Sequence, residues 1–314
     1  MDIIAPVKNF LLLLLCAAFL LAGCGRQKKK DHLVIGVSYQ NLQYEFTIYL
    51  QDAIRSQAKK MNIELIELDS RGKAEDQISE VENFIAFGVD VIILNPCDKE
   101  GSAPAVDIAV REKTPIVVLN TIVTNFQKAQ AFVGSEDAEA GRIAANYMVS
   151  LLKGKGSIAV IHGLNGHSAE VQRSAGINEV LHKYPEVKIV VEQSANWDRA
   201  QALTLMENWL SSSKQIDAVI AQNDEMALGA SKAIEAAGKQ QEMPVIGIDA
   251  IRDALKAVEQ GKMAATIFQD ASGQGRLAVE IAQKIIAREP VAHINYIPFK
   301  LVTRENVKQY MKNE

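Results

Sequence analysis

Apolar positions along the chain follow two alternating rhythms. Leu33-Val34-Ile35-Gly36-Val37 is a short, nearly continuous apolar run, as a strand buried on both faces requires. Behind it Phe46, Leu50, Ala53, Ile54, Ala58 and Met61 recur every three or four residues, which gathers them on one face of a helix. The same reading predicts strands over 63–68, 89–95, 115–120 and 131–134, with helices over 76–87 and 103–111. It resumes with a helix over 138–153, a strand over 157–162, a helix over 169–183 and a strand over 187–193. The alternation continues through 199–210, 218–222, 226–237, 245–248 and 251–259. Short apolar strands separated by helices predict parallel sheets covered on both faces. There are too many for one comfortable open sheet, so two lobes are expected, with a (β/α)₈ barrel as the architectural alternative. The change of lobe is placed near Gly134-Ser135 and not at the turn-like Lys153-Gly154-Lys155-Gly156.

The N-terminus obeys neither rhythm. Lys8 precedes an apolar run over 10–21, which ends in Leu21-Ala22-Gly23-Cys24. A short apolar stretch behind a positive charge reads as a secretory signal and not as a spanning helix. Leu-Ala-Gly-Cys resembles the bacterial lipobox, which implies a signal peptide over 1–23, lipid on Cys24 and a tether over 24–32. The alternative is an uncleaved anchor with an incidental cysteine. Several acyl chains hold firmly where a single one is marginal. The mature protein is therefore expected outside the cytoplasm, lipid-anchored in the periplasm or on the outer face of the cell membrane.

Composition narrows the picture further. At 314 residues, 48% hydrophobic and 23% charged, the chain can build two cores. Its net charge of −4 comes from 34 basic and 38 acidic residues spread along the chain, and the longest basic block is Lys28-Lys29-Lys30. That distribution excludes nucleic acid as an expected partner. With Cys16 in the leader and Cys24 lipidated, Cys97 is left unpaired, so no disulfide framework is expected.

In open α/β sheets ligands meet the loops at the carboxyl ends of strands. Those ends carry Asn95, Asn120, Asn223, Asp249 and Gln269 here. Planar amides and carboxylates suit vicinal hydroxyls, an arginine such as Arg173 adds a rigid fork of donors, and Trp197 offers a platform for the C–H face of a sugar. Each has a structural alternative: Asx residues at strand ends form turns or caps, Arg173 fits a solvated helix, and Trp197 fits a packing role. Their joint placement favours a site. Catalytic patterns are lacking. The Gly163-Leu164-Asn165-Gly166 loop has neither the lysine nor the spacing of a P-loop, and no Gly-x-Ser-x-Gly elbow occurs. His32, His162, His167, His182 and His293 show no metal-ligand spacing, and His162 and His167 read as structural or peripheral near a cleft mouth. A non-enzyme is expected, with no metal and no cofactor.

Ordered motifs carry a resemblance. Ala221-Gln222-Asn223-Asp224-Glu225-Met226-Ala227-Leu228-Gly229, Val245-Ile246-Gly247-Ile248-Asp249 and Gly261-Lys262-Met263-Ala264-Ala265-Thr266-Ile267-Phe268-Gln269 follow one another in the second half. Earlier come Gly88-Val89-Asp90-Val91-Ile92-Ile93-Leu94-Asn95-Pro96 and Ser168-Ala169-Glu170-Val171-Gln172-Arg173-Ser174-Ala175-Gly176. Together these resemble the periplasmic ribose/galactose-type sugar-binding proteins, whose fold is shared with the sugar-sensing domains of lactose-repressor-type regulators. The resemblance spans about residues 33–300. It implies two similar Rossmann-like α/β lobes joined by a three-strand hinge, 33–134 plus 270–296 and 135–269 plus 297–314. By the same resemblance Phe46, Asn120, Arg173, Trp197, Asn223, Asp249 and Gln269 contact the ligand, and Trp197 stands where the family sets a ring against the sugar.

Two departures bear on the ligand. Where ribose binders carry an Asp-Arg pair after the fourth strand, this chain has Asn120-Thr121. Their Asn-Pro-Phe-Phe-like first loop becomes Gln43-Tyr44-Glu45-Phe46, which adds Gln43 and Glu45 to the candidate contacts. A hexose, another pentose, a polyol or a cyclitol fits at least as well as ribose. The family implies a monomeric binding protein that closes on its ligand by a hinge and delivers it to an ABC permease. Signalling to a membrane histidine kinase or chemoreceptor is the alternative.

Overall fold

The computed structural model describes residues 32–212 and 214–311. The expected leader, Cys24 as the expected lipidation site and most of the expected tether lie outside the described residues. Two six-stranded sheets are built from β1 (Val34–Tyr39), β2 (Glu64–Asp69), β3 (Val91–Leu94), β4 (Ile116–Asn120), β5 (Ala131–Gly134), β6 (Gly156–His162), β7 (Val187–Ser194), β8 (Ala218–Ala221), β9 (Val245–Asp249), β10 (Ala265–Phe268), β11 (Ile294–Tyr296) and β12 (Lys300–Thr303). The first sheet runs β11-β5-β4-β3-β1-β2 with every pair parallel. The second runs β12-β10-β9-β8-β6-β7, parallel except for β12, which is antiparallel to β10. Two open sheets exclude the barrel alternative.

The helices are α1 (Glu45–Lys60), α2 (Ala74–Phe87), α3 (Ala103–Arg111), α4 (Asp137–Leu151), α5 (Ser168–Leu181), α6 (Arg199–Ser211), α7 (Asp224–Ala236), α8 (Arg252–Glu259), α9 (Ala271–Ile286) and the short α10 (Val307–Tyr310). Side chains alternate across each strand, so one sheet feeds two cores. Ile35, Val37 and Tyr39 of β1 pack with Leu50 and Ile54 of α1 and Ala278 and Val279 of α9. Val34 points the other way, to Phe84 of α2 and Val106 of α3. The second sheet repeats the scheme. Ile158 and Val160 face α4 and α5, while Ala159 and Ile161 face α6, α7 and α8. Leu50, Ile54, Phe84 and Ile161 are fully buried. Truncating any of these side chains to alanine costs about 2–5 kcal/mol.

The chain crosses between the sheets three times, at 135–136, 269–270 and 297–299. α9, β11 and β12, which the alternation of 33–259 does not reach, make up the return. α9 packs against α1 in the first lobe, β11 joins the first sheet, and β12 joins the second. The architecture is therefore two α/β lobes with mostly parallel sheets. Both sheets reverse strand order beside an inner strand, between β1 and β3 and between β6 and β8, and each opens a crevice there at its carboxyl edge. Among the described residues no helix is long and apolar enough to cross a membrane.

Candidate functional site

The carboxyl edges of the two sheets share one cavity. The first lobe contributes Gln40 after β1, Tyr44, Phe46 and Thr47 at the start of α1, and Asn120 and Thr121 at the end of β4. The second contributes His167, Ala169 and Arg173 around the start of α5, Trp197 before α6, Asn223 after β8, Asp249 ending β9 and Gln269 after β10. The lobes touch beside it. His167 Nε2 lies 3.0 Å from Gln40 Oε1, and the Ile122 amide donates to Ser168 Oγ at 3.0 Å.

Close helix packing places Arg173. A Cβ on Gly141 would lie 2.1 Å from the Arg173 carbonyl oxygen, and one on Gly176 would lie 2.1 Å from that of Ala138. Only glycine at both positions lets α4 and α5 meet backbone to backbone. This brings Asp137, the first residue of α4, to Arg173, whose Nε donates to Asp137 Oδ1 at 2.9 Å with both side chains buried. Arg173 Nη1 donates to the Gln222 carbonyl and Nη2 to Gln269 Oε1 at 3.2 Å. Three of five guanidinium N–H groups are thus used by protein, and the fork is held rigid beneath Trp197, whose ring centre lies 5.8 Å away.

Three of the cavity residues stand on left-handed backbone: Asn120 (φ 68°), Trp197 (φ 64°) and Asp249 (φ 123°). Asn and Asp tolerate this region and a bulky residue does not, so Trp197 is the strained member. Such strain persists where the surroundings over-determine it, as at ligand clamps. Here an Asp198 side-chain cap on α6 and the Asn223 Nδ2 bond to the Trp197 carbonyl, 3.4 Å, hold the segment. Asn223 is also the cap of α7, its Oδ1 accepting from the Met226 amide at 3.0 Å, so the structural and the site reading hold together.

Electrostatics follow from burial. The Asp249 carboxyl is raised well above the usual range because surrounding protein desolvates it, with Arg173 opposing and Asp224 and Asp137 adding to the rise. Asp224 behind it is pushed up to about 7 by burial, while its oxygens accept from Thr266 Oγ1 and the Ile251 amide. His167 is pushed down to about 4, first by burial and then by Arg173. Its Nδ1 accepts from the Ala169 amide at 3.3 Å, so the neutral ring carries its proton on Nε2 and donates it to Gln40. Gln269 Nε2 is buried without a hydrogen-bond partner among the described residues and is a donor available at the cavity wall.

Of the residues picked out in the sequence, the structure brings Phe46, Asn120, Arg173, Trp197, Asn223, Asp249 and Gln269 to this cavity. Gln43 and Glu45 are not brought there. Gln43 is exposed, and Glu45 accepts the hydroxyl of Tyr49 one helical turn on. Asn95 is structural, its amide bonding the Gln40 N–H and the Leu119 carbonyl. Asp249 does not cap α8, whose first residue follows Ile251. His167, read as structural or peripheral, caps α5 and also lines the cavity. The strand-end rule applied to β1 would have found Gln40. Thr121 donates to the Pro96 carbonyl at 2.9 Å, so it braces the wall where the ribose binders carry a charged fork.

Comparison with known proteins agrees with this geometry. The chain is 33% identical to the ribose import binding protein of Bacillus subtilis, over 95% of this chain and 99% of that protein. It is 33% identical to the xylitol-binding protein of Mycolicibacterium smegmatis, over 91% and 82%. An ABC transporter solute-binding protein of Bacillus halodurans, solved with bound myo-inositol, superposes with a TM-score of 0.87 at 39% identity, covering 90% of this chain and 98% of that one. A family model for the periplasmic binding protein domain matches residues 35–290. With that match over most of its length and a cavity set between two lobes, the chain belongs to the periplasmic binding protein family.

Proposed function

We propose that this protein is the extracytoplasmic substrate-binding component of an ABC importer, and that it captures a neutral monosaccharide or cyclic polyol between its lobes. The observation that carries this reading is the convergence of Arg173, Asn223, Asp249 and Gln269 on one cavity faced by Phe46 and Trp197. Hydroxyls meet donors and acceptors at the second lobe while ring C–H faces meet the aromatic side chains. The similarity to a myo-inositol-bound relative, and Thr121 in place of a charged fork, favour a cyclitol or hexose over ribose.

In this reading, residues 33–134 plus 270–296 and 135–269 plus 297–314 move as two lobes about the three crossings. Ligand tilts them toward closure by binding the closed arrangement better. The closed monomer docks on a permease, Cys24 ties it to the membrane by lipid, and the protein performs no chemical step. Titration calorimetry of the soluble chain beginning after Cys24 with myo-inositol, D-allose, xylitol and D-ribose tests the proposal. Micromolar binding of at least one, about −8 kcal/mol, is expected. Folded protein that binds none of the four would sink it.

A further inference from the structure

The segment through which the chain first leaves the first lobe is gripped from both walls of the cavity. Gln274, one turn into α9, is fully buried. Its Oε1 accepts from Asn120 Nδ2 at 3.0 Å and its Nε2 donates to Ser135 Oγ at 3.1 Å. Asn120 lines the cavity, whereas Gln274 and Ser135 do not. Ser135 lies in the crossing between β5 and α4, next to Gly134, which pairs with Asn120 in the sheet. Two residues on, Asp137 holds Arg173 of the opposite wall. Residues 135–137 are thus tied by side chains to one ligand-facing residue of each lobe.

Rotation of one lobe against the other has to be absorbed by φ and ψ changes in such crossings. A ligand shifts that equilibrium only through contacts that differ between its two states. An amide buried between a cavity residue and the crossing is such a contact, because movement of Ser135 leaves a buried donor without its acceptor. We propose that Gln274 is a positioning residue that couples occupancy of the cavity at Asn120 to the conformation of the Ser135 crossing. Ligand affinity then depends on two side chains outside the cavity lining. The proposal rests on the reading of the cavity as the binding site.

The test compares wild type, Ser135→Ala, Gln274→Ala and the double variant by calorimetry with myo-inositol, D-allose, xylitol and D-ribose. Small-angle scattering with and without the bound probe reports lobe opening. Each single variant should lose about 10-fold in affinity for the probe the wild type binds. Each should also need more ligand to reach the compact scattering profile. The double variant should bind no worse than Gln274→Ala, since Ser135 acts through Gln274. Ser135→Ala removes one oxygen and keeps the relay testable if Gln274→Ala does not fold. Wild-type affinity and scattering for Ser135→Ala would overturn the proposal, as would losses that simply multiply in the double variant. Wild type that binds no probe would refute the reading of the cavity instead. The relay is then judged by scattering of the free proteins, where identical profiles for wild type and Ser135→Ala refute it.

Discussion

The indole of Trp197 lies directly on Gly163: a Cβ added at Gly163 would sit 2.0 Å from two carbons of the ring. The glycine loop after β6, which lacks the features of a phosphate cradle, thus has a packing reason for its first glycine. It leaves room for the aromatic wall of the cavity. Gly163→Ala should displace Trp197, costing about 1–3 kcal/mol of stability and at least 10-fold in affinity for the bound sugar or polyol. Trp197 emission in a Trp209→Phe background reports the displacement directly. Unchanged emission and affinity would show that the loop shifts and the ring does not.

Arg173 serves three protein acceptors with one planar fork at the cavity wall. Arg173→Ala should weaken binding roughly 30- to 1,000-fold, about 2–4 kcal/mol. Arg173→Lys should not restore it, because an ammonium cannot reproduce the fork. Removing the other half of the pair acts on folding: Asp137→Ala leaves a buried guanidinium without its anion and should lower unfolding free energy by about 3–5 kcal/mol. Urea titration measures this, and a loss below about 1 kcal/mol would mean that solvent reaches Arg173.

Asp249 lines the cavity at a cost to stability. Burial raises its carboxyl well above the unfolded value, so the native state takes up a proton that the unfolded chain releases. This group's contribution therefore declines as pH rises through the usual carboxylate range. Asp249→Asn should melt higher than wild type at pH 8, lose that advantage near pH 4, and bind ligand more weakly at pH 7. A stability difference that does not vary with pH would remove the electrostatic explanation.

His167 has the opposite sign. Its native value of about 4 lies below the unfolded value of about 6.5, so the unfolded chain takes up the proton first as pH falls. The stability it contributes is complete above about pH 6.5 and is lost toward pH 4, by up to roughly 3 kcal/mol. Arg173 pushes the imidazole down, while Asp98 and Glu170 pull it up. His167→Asn keeps a cap oxygen for α5 without titrating. The stability gap between wild type and this variant should narrow from pH 7 to pH 4.5 by chemical denaturation. Parallel profiles would count against a buried neutral histidine.

Much of the fold was legible in the chain because both of its periodicities are local. Val91 to Leu94 and Ile116 to Asn120 announce themselves as doubly covered strands, and α1 shows its buried face at Phe46, Leu50 and Ile54. The strand-end positions of Asn120, Asn223, Asp249 and Gln269 follow from the same periodicity. α9, β11 and β12 were not read from periodicity, because their partners lie far back in the chain: Leu50 and Ile54 for α9, Phe132 to Gly134 for β11. Glu45 falls outside the cavity lining for a physical reason. It is one residue from Phe46, and a one-residue step around a helix turns the side chain by about 100°, away from the cavity and toward Tyr49.

The sequence alone determined most of the strands and helices and the chemistry offered at the strand ends, since burial on a pleat or a helix face is written in neighbouring residues. Only the tertiary structure decided which of those groups meet. Arg173 reaches Asp137 because Gly141 and Gly176 let two helices touch, Trp197 reaches the cavity because Gly163 lets it lie flat, and His167 meets Gln40 across the lobes. Gln274 joins Asn120 to Ser135 over separations of 154 and 139 residues. Those contacts depend on close packing between distant segments, and a local pattern of polar and apolar residues carries no record of it.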